Sequence, residues 1–247
     1  MKILLHGFGA MGKMVLEEVR KRPNIEVIGI VEPRGGGQAA GSIPVYPSPT
    51  SAPAADIVID FSHPSLLDQV LNYGLKHQAK LILATSGYSD TQLLQIGEAA
   101  SKLAIFQSYN MSLGVRMVLD ALRAIAPQAG DLYDIEIEER HHRKKIDAPS
   151  GTAWLLFRTL AKLLPGKKAM LDRSSIKEAR KPEEIGMVAL RGGTIFGEHT
   201  VLFAGEDELI EIKHTALSKR IFATGALSAA QFIQTKEKGL FNLDNMG

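Results

Sequence analysis

The chain has 247 residues, 45% hydrophobic and 23% charged, with a net charge of +2 and no cysteine. This is the composition of a folded globular chain of one large or two modest domains, and it excludes disulfides, thiolate metal sites and a cysteine nucleophile. The small net charge argues against nucleic acid or an anionic membrane surface as partner, no stretch is apolar for long enough to span a bilayer, and a cysteine-free chain suits the cytoplasm.

Ile3-Leu4-Leu5 is a short apolar run that ends at His6-Gly7, too short for a secretory signal, and it predicts a buried strand. Met11, Met14, Val15 and Val19 follow at helical spacing, and Pro23-Asn24 stops that helix. Ile25 to Val31 is a second strand, which completes a βαβ unit. Residues 35–55 are rich in Gly, Ser, Ala and Pro and predict a loop with a short strand at Ile43 to Tyr46. Strands at Ile57–Phe61, Leu81–Leu83 and Leu103–Phe106 alternate with helices at Leu66–His77 and Thr91–Lys102, as in a doubly wound parallel sheet.

The pattern changes after Asn110. Met117 to Ile125 is helical, Asp134 to Glu138 alternates like a half-exposed strand, and Ala153 to Leu164 carries one apolar helix face. His199–Phe203 and Glu208–Lys213 flank Gly205-Glu206-Asp207 as an antiparallel hairpin. The helix at Ile221 to Ile233 fits either part. Parallel βαβ units followed by antiparallel strands predict two domains.

Gly7-Phe8-Gly9-Ala10-Met11-Gly12 is G-x-G-x-x-G between a strand and a helix. The first glycine permits the turn, the second lets the backbone approach a pyrophosphate, and the third lets helix and strand pack closely. The helix N-terminus offers N–H groups and partial positive charge to phosphates. Glu32 ends the second strand 20 residues after Gly12, where an acid holds the adenine ribose hydroxyls. Arg34 offers a pairing for a 2′-phosphate, so NADH and NADPH are both expected cofactors.

Six consecutive residues, Arg140 to Lys145, are His, Arg or Lys. Solvated surface cations, or contact with phosphate or nucleic acid, remain open readings of such a run. Ser150-Gly151-Thr152 at the start of the next helix forms an anion cradle, and cations beside a cradle converge on a small carboxylated ligand. Histidine is the natural proton donor near neutral pH. Asp147 reads as a residue that orients the loop. A metal site is disfavoured, because His141 and His142 on a strand point to opposite faces.

The segment Glu139-Arg140-His141-His142-Arg143-Lys144-Lys145-Ile146-Asp147-Ala148-Pro149-Ser150-Gly151-Thr152-Ala153 resembles the signature E-x-H-H-x-x-K-x-D-A-P-S-G-T-A of the 4-hydroxy-tetrahydrodipicolinate (dihydrodipicolinate) reductases, enzymes of diaminopimelate and lysine biosynthesis. The glycine turn, Asp60-Phe61-Ser62-His63-Pro64, Ala84-Thr85-Ser86-Gly87-Tyr88, Asn110 to Val115 and Gly197-Glu198-His199-Thr200 resemble further landmarks of that family, so the likeness covers essentially the whole chain. It implies a proton-donor role for His141, a second catalytic role for Lys145, a substrate contact at His142, and a carboxylate cradle at Ser150, Gly151 and Thr152. It implies cofactor contacts at Gly7 to Gly12, Glu32 and Arg34, and nicotinamide-site walls at Ala84, Thr85, Ser86, Ser108, Tyr109, Asn110 and Met111. The chain departs from the family pattern in a shorter glycine turn, in Ala84-Thr85-Ser86-Gly87 for G-T-T-G, and at Ser108, Tyr109 and Met111.

The implied fold is α/β: a Rossmann-like doubly wound sheet from residues 1–111 and 222–247, which closes on an α+β substrate-binding and oligomerisation domain at 112–221 with a mixed or antiparallel sheet. The implied substrate is a small, cyclic, dicarboxylated unsaturated imine, and the implied assembly is a homotetramer. Two other readings stand beside this one. An amino-acid-type dehydrogenase on the same cofactor domain would not need His141, His142 and Lys145 beside Ser150 to Thr152. A non-catalytic NAD(P)H sensor would need no reactive cluster.

Overall fold

The computed structural model describes residues 1–33, 41–130 and 132–246. In chain order the elements are β1 (Lys2–His6), α1 (Ala10–Val19), β2 (Glu26–Val31), β3 (Val45–Tyr46), β4 (Ile57–Asp60), α2 (Leu67–His77), β5 (Lys80–Leu83), α3 (Asp90–Ala100) and β6 (Ala104–Gln107). Then follow α4 (Leu113–Ala129), β7 (Asp134–His141), α5 (Gly151–Leu163), β8 (Lys168–Met170), β9 (Glu184–Arg191), β10 (Gly197–Ala204), β11 (Leu209–Ala216), α6 (Arg220–Ile233) and β12 (Gly239–Phe241). They form two compact units, one of residues 1–113 with 219–247, the other of residues 114–218.

The first unit is a seven-stranded parallel sheet in the order β12-β6-β5-β4-β1-β2-β3. Its inner strands show why parallel strands read as unbroken apolar runs. Ile3 and Leu5 of β1 and Ile57 and Ile59 of β4 point into a layer made with α1 and α6. Leu4 and Val58, one residue out of phase, point into the opposite layer with α2 and α3. Both faces are covered, so Ile3 to Leu5 and Ile57 to Ile59 are apolar without a break. Each fully buried Leu, Ile or Val here contributes about 1.5–3 kcal/mol of transfer free energy. The helix ends are set locally. Ser89 and Gln92 form a reciprocal cap at the start of α3, and Gln78 ends α2 in the left-handed region at φ 54°. Strands β3 to β6 lie in the 3-2-1-4-5-6 order, whose reversal between β1 and β4 opens a crevice at the carboxyl ends of the strands.

The second unit is a five-stranded mixed sheet in the order β11-β10-β7-β9-β8. Strands β7, β9 and β8 run parallel, while β10 is antiparallel to both β7 and β11. Of these, β8 and β9 carry no clear alternation in the sequence, and α4 runs four residues beyond each end of the apolar stretch Met117 to Ile125. Alternation along β7 sends Ile135, Ile137 and Glu139 inward and Glu136, Glu138 and Arg140 outward. The inner face packs Ile185, Met187, Val201 and Phe203 against Val118, Leu119 and Leu122 of α4 and Ala153, Leu156 and Leu160 of α5. Neither helix covers the outer face, where Val188 and Leu190 are about half exposed beside the ion pairs Arg140–Glu138 and Lys213–Glu198.

Candidate active site

In the first unit the glycine turn has the geometry its residue types demand. Gly7 sits at φ +88°, and a side-chain carbon there would lie 2.8 Å from the Phe61 carbonyl oxygen. A side chain at Gly12 would strike the Gly7 carbonyl, so this glycine sets how closely α1 packs on the turn. Gly9 faces open space and caps α1 with no side chain of its own. Phe8 puts its ring into the core and donates its N–H to Glu32 Oε2 at 3.0 Å, which ties the acid at the end of β2 to the turn. A dinucleotide fits these groups: a helix N-terminus with no side-chain cap beside an open glycine, and a carboxylate at the end of the next strand bonded to the turn. Arg34 lies outside the described residues.

Beyond the turn, a cavity of about 290 Å³ is lined by Met11, Phe61, Ser62, Ala84, Thr85, Ser86, Tyr109, Met111 and Phe222. Its lining comes from the carboxyl ends of β4, β5 and β6 and the starts of α1 and α6, which is where ligands bind in such sheets. Ser108 and Asn110 do not line it. Ser108 Oγ donates to the Asn110 carbonyl at 2.6 Å, and Asn110 Oδ1 accepts from Ser112 N–H at 2.8 Å, so they shape the loop that presents Tyr109 and Met111.

Buried Asp60 was legible as a landmark but not in its role. Its carboxylate accepts from Thr85 Oγ1 at 2.7 Å and from Ser62 Oγ at 2.5 Å, lies 3.3 Å from the Tyr88 hydroxyl, and pairs with buried His6 Nδ1 at 2.7 Å. Two of these partners, Ser62 and Thr85, line the cavity. Burial, with the Asp60 charge beside it, pushes the Tyr88 hydroxyl far above its ordinary value and keeps it a neutral donor.

In the second unit the centre is Glu139, whose side chain is 1% exposed. Period-two alternation puts it on the same face of β7 as His141. Glu139 Oε2 accepts from His141 Nδ1 at 2.5 Å and from Arg191 Nη1 at 2.8 Å. Glu139 Oε1 accepts from Arg191 Nη2 at 2.7 Å and from the Ser150 N–H at 3.0 Å. Burial pushes this carboxyl up, but Arg191, His141 and the Ser150 N–H outweigh it and hold the group below its ordinary value. An ionised Glu139 fixes the neutral His141 tautomer with hydrogen on Nδ1, leaving Nε2 to carry or release a proton. Burial wins at His141 itself, where the imidazole lies below its ordinary value against the pull of Glu139.

Arg191 was not legible at all: it stands 50 residues from His141 in sequence and reaches it through the β7–β9 register. Its Nη2 also holds the Asp147 carbonyl at 2.6 Å, so one side chain ties β9 to the loop after β7. Lys145 Nζ pairs with Asp147 Oδ1 at 2.8 Å, which holds the Asp147 carboxyl below its usual range, and the Lys145 N–H closes a turn on the His142 carbonyl at 3.0 Å. Ser150 caps α5 by accepting the Ala153 N–H at 3.2 Å. Gly151 begins α5 exposed, with open space beside its α-carbon, and Thr152 is half-buried. The structure therefore gathers His141, Lys145 and the start of α5 into one unit. His142 follows the end of β7 and is half-buried.

A parallel sheet of this order with a glycine turn and a cavity at its switch point, joined in one chain to a buried histidine–carboxylate pair, defines an NAD(P)H-dependent oxidoreductase. The sequence matches the family profile "Dihydrodipicolinate reductase, N-terminus" over residues 1–111 and "Dihydrodipicolinate reductase, C-terminus" over residues 114–246. The chain belongs to the dihydrodipicolinate reductase family. A relative named 4-hydroxy-tetrahydrodipicolinate reductase in Exiguobacterium sibiricum is 46% identical over all of this chain and 96% of its own. One of the same name in Staphylococcus aureus is 40% identical over the full length of both. The solved dipicolinate-bound dihydrodipicolinate reductase of Paenisporosarcina sp. TG-14 shares the fold at TM-score 0.79 and 21% identity, over 98% of this chain and 97% of its own. Diaminopimelate dehydrogenase of Corynebacterium glutamicum is a more distant likeness, at TM-score 0.60 and 13% identity, over 99% of this chain and 93% of its own.

Proposed function

We propose that this chain is a 4-hydroxy-tetrahydrodipicolinate reductase that reduces a cyclic, dicarboxylated, unsaturated imine to tetrahydrodipicolinate. The observation that carries the reading is His141, held through Nδ1 by a buried Glu139 in the same unit as Lys145 and the start of α5. An amino-acid-type dehydrogenase or a sensor would not need that cluster.

Bound NADH or NADPH supplies a hydride to one end of the conjugated carbon–nitrogen system. The residues assigned to hold the cofactor are Gly7 to Gly12, Glu32, Arg34, Ala84, Thr85, Ser86, Tyr109 and Met111, with Ser108 and Asn110 shaping the loop that presents the last two. The N–H groups at the start of α5 with Ser150, Gly151 and Thr152 take one substrate carboxylate, and His142 contacts the ring. Lys145 leaves Asp147 for the negative charge that grows in the transition state. His141 takes a proton from solvent on Nε2, the imidazolium being stabilised by Glu139 on Nδ1, and delivers it to the far end of the conjugated system, so substrate, hydride and one solvent-derived proton balance the product. Loss of water from the hydroxylated precursor precedes this step.

Residues 1–111 with 222–247 form the dinucleotide-binding part in this reading, and 112–221 the substrate-binding and oligomerisation part. The uncovered outer face of the second sheet, with Val188 and Leu190, supports a homotetramer built there, checked by light scattering on the purified protein. No helix among the described residues is long and apolar enough to cross a membrane, and the reaction is assigned to the cytoplasm. The test is oxidation of NADH and NADPH, in parallel, with freshly made dihydrodipicolinate-synthase product. Rapid oxidation that disappears in Lys145→Ala is expected. Cofactor binding without oxidation would overturn the assignment.

A further inference from the structure

Two residues at the start of β10 touch both halves of the reaction machinery. Alternation sends Glu198 to the outer face, where it pairs with Lys213 at 2.7 Å, and turns Gly197 and His199 inward. A side-chain carbon at Gly197 would have three ring atoms of His141 as its nearest neighbours: Nε2 at 3.1 Å, Cδ2 at 3.4 Å and Cε1 at 3.9 Å. The backbone at Gly197 is not left-handed, so any residue could adopt it; what a side chain lacks there is room beside His141. His199 is 6% exposed, and its ring meets that of His141 edge to face at 5.1 Å. Its Nε2 lies 2.9 Å from Ser150 Oγ, the atom that caps α5.

We propose that Gly197 and His199 are positioning residues for this active site: Gly197 keeps the Nε2 edge of His141 clear, and His199 donates from Nε2 to Ser150 Oγ and so holds the residue that begins the carboxylate cradle. The direction of that bond follows from the other ring nitrogen. His199 Nδ1 is buried with no hydrogen-bond partner. A hydrogen on Nδ1 would bury an orphan donor, which folded proteins tolerate least, whereas a bare lone pair there is the milder defect. Nε2 therefore carries the hydrogen. Burial, with His141 nearby, pushes the His199 imidazole down to about 4. It is neutral at the pH where His141 works, and so it is a holder and not a second acid.

The inference rests on the function proposed above, and the test separates the two. Wild-type protein that does not turn over the substrate would sink the functional reading alone. The positioning roles are then read from ring-nitrogen NMR and from binding of pyridine-2,6-dicarboxylate. Gly197→Ala is expected to lower kcat about tenfold or more with KM nearly unchanged, because it disturbs the proton donor and not the cradle. His199→Phe is expected to raise KM, and Kd for pyridine-2,6-dicarboxylate, about tenfold with kcat nearly unchanged, the worth of one lost hydrogen bond in the cradle's support. His199→Gln, which restores a nitrogen donor near Nε2, is expected to recover most of that binding. NMR is expected to show hydrogen on Nε2 of His199 and on Nδ1 of His141. The proposal is overturned by hydrogen on Nδ1 of His199, by a Gly197→Ala variant with wild-type kcat, or by variants that lower only the melting temperature.

Discussion

Replacing Arg191 with methionine isolates the charge at the centre of the second unit. Arg191 makes two bonds to Glu139, at 2.8 and 2.7 Å, and Glu139 is 1% exposed. Methionine keeps the apolar stem and removes the guanidinium, so a buried carboxylate loses its counter-charge. Breaking a buried pair by removing one partner costs about 3–5 kcal/mol. His141 and the Ser150 N–H still bond Glu139, so a loss near 3 kcal/mol is expected. The loss depends on pH. In the wild type the folded value of Glu139 lies below the unfolded one, so its contribution is present above the unfolded value and fades as pH falls through the folded value. In the variant burial is no longer outweighed, the folded value rises, and protonation relieves the penalty. The gap between wild type and variant should therefore narrow from about pH 7.5 to about pH 5. Urea denaturation followed by circular dichroism reads both quantities. The double variant Glu139→Gln with Arg191→Met should lose less than the sum of the single variants. A loss under about 1 kcal/mol, equal at both pH values, is the behaviour of an exposed ion pair and would refute the reasoning.

His141→Gln should lower turnover by about 10²–10⁴-fold with NADH affinity unchanged by fluorescence titration; normal turnover would remove His141 from its role. Gly7→Ala forces a side chain into φ +88° and against the Phe61 carbonyl, and should cost about 1–3 kcal/mol in denaturation together with most of the cofactor affinity. The His199 imidazole falls from its ordinary 6.5 to about 4 on folding, so the unfolded chain binds the extra proton between those values. Stability from this group is complete above pH 6.5 and falls by about 3 kcal/mol toward pH 4, a slope that His199→Gln should flatten.

Sequence alone determined the features that depend on neighbours along the chain. The glycine turn, the strand before it and Glu32 after it lie within 31 residues, from Lys2 to Glu32, and Gly7 and Gly12 are each needed for a local steric reason. The segment Glu139 to Thr152 carries His141, Lys145 and the capped start of α5 on one strand, one loop and one helix. Glu139 was also within reach of sequence, because period two puts it on the face of His141. What only the tertiary structure decided are the contacts that strand register makes. Arg191 meets Glu139 because β9 lies parallel to β7, and His199 meets Ser150 because β10 lies antiparallel on its other side. Asp60 gathers Thr85, Ser62 and Tyr88 because β4 and β5 end side by side. The inner strand β9 and the edge strand β8 show no alternation to read, and α6 fits either part by sequence, whereas its Ala223, Ala226 and Ile233 pack on the parallel sheet. Alternation and helical periodicity say which face of an element is buried; they do not say which strand will lie beside it, and this site is held together by strands that lie side by side.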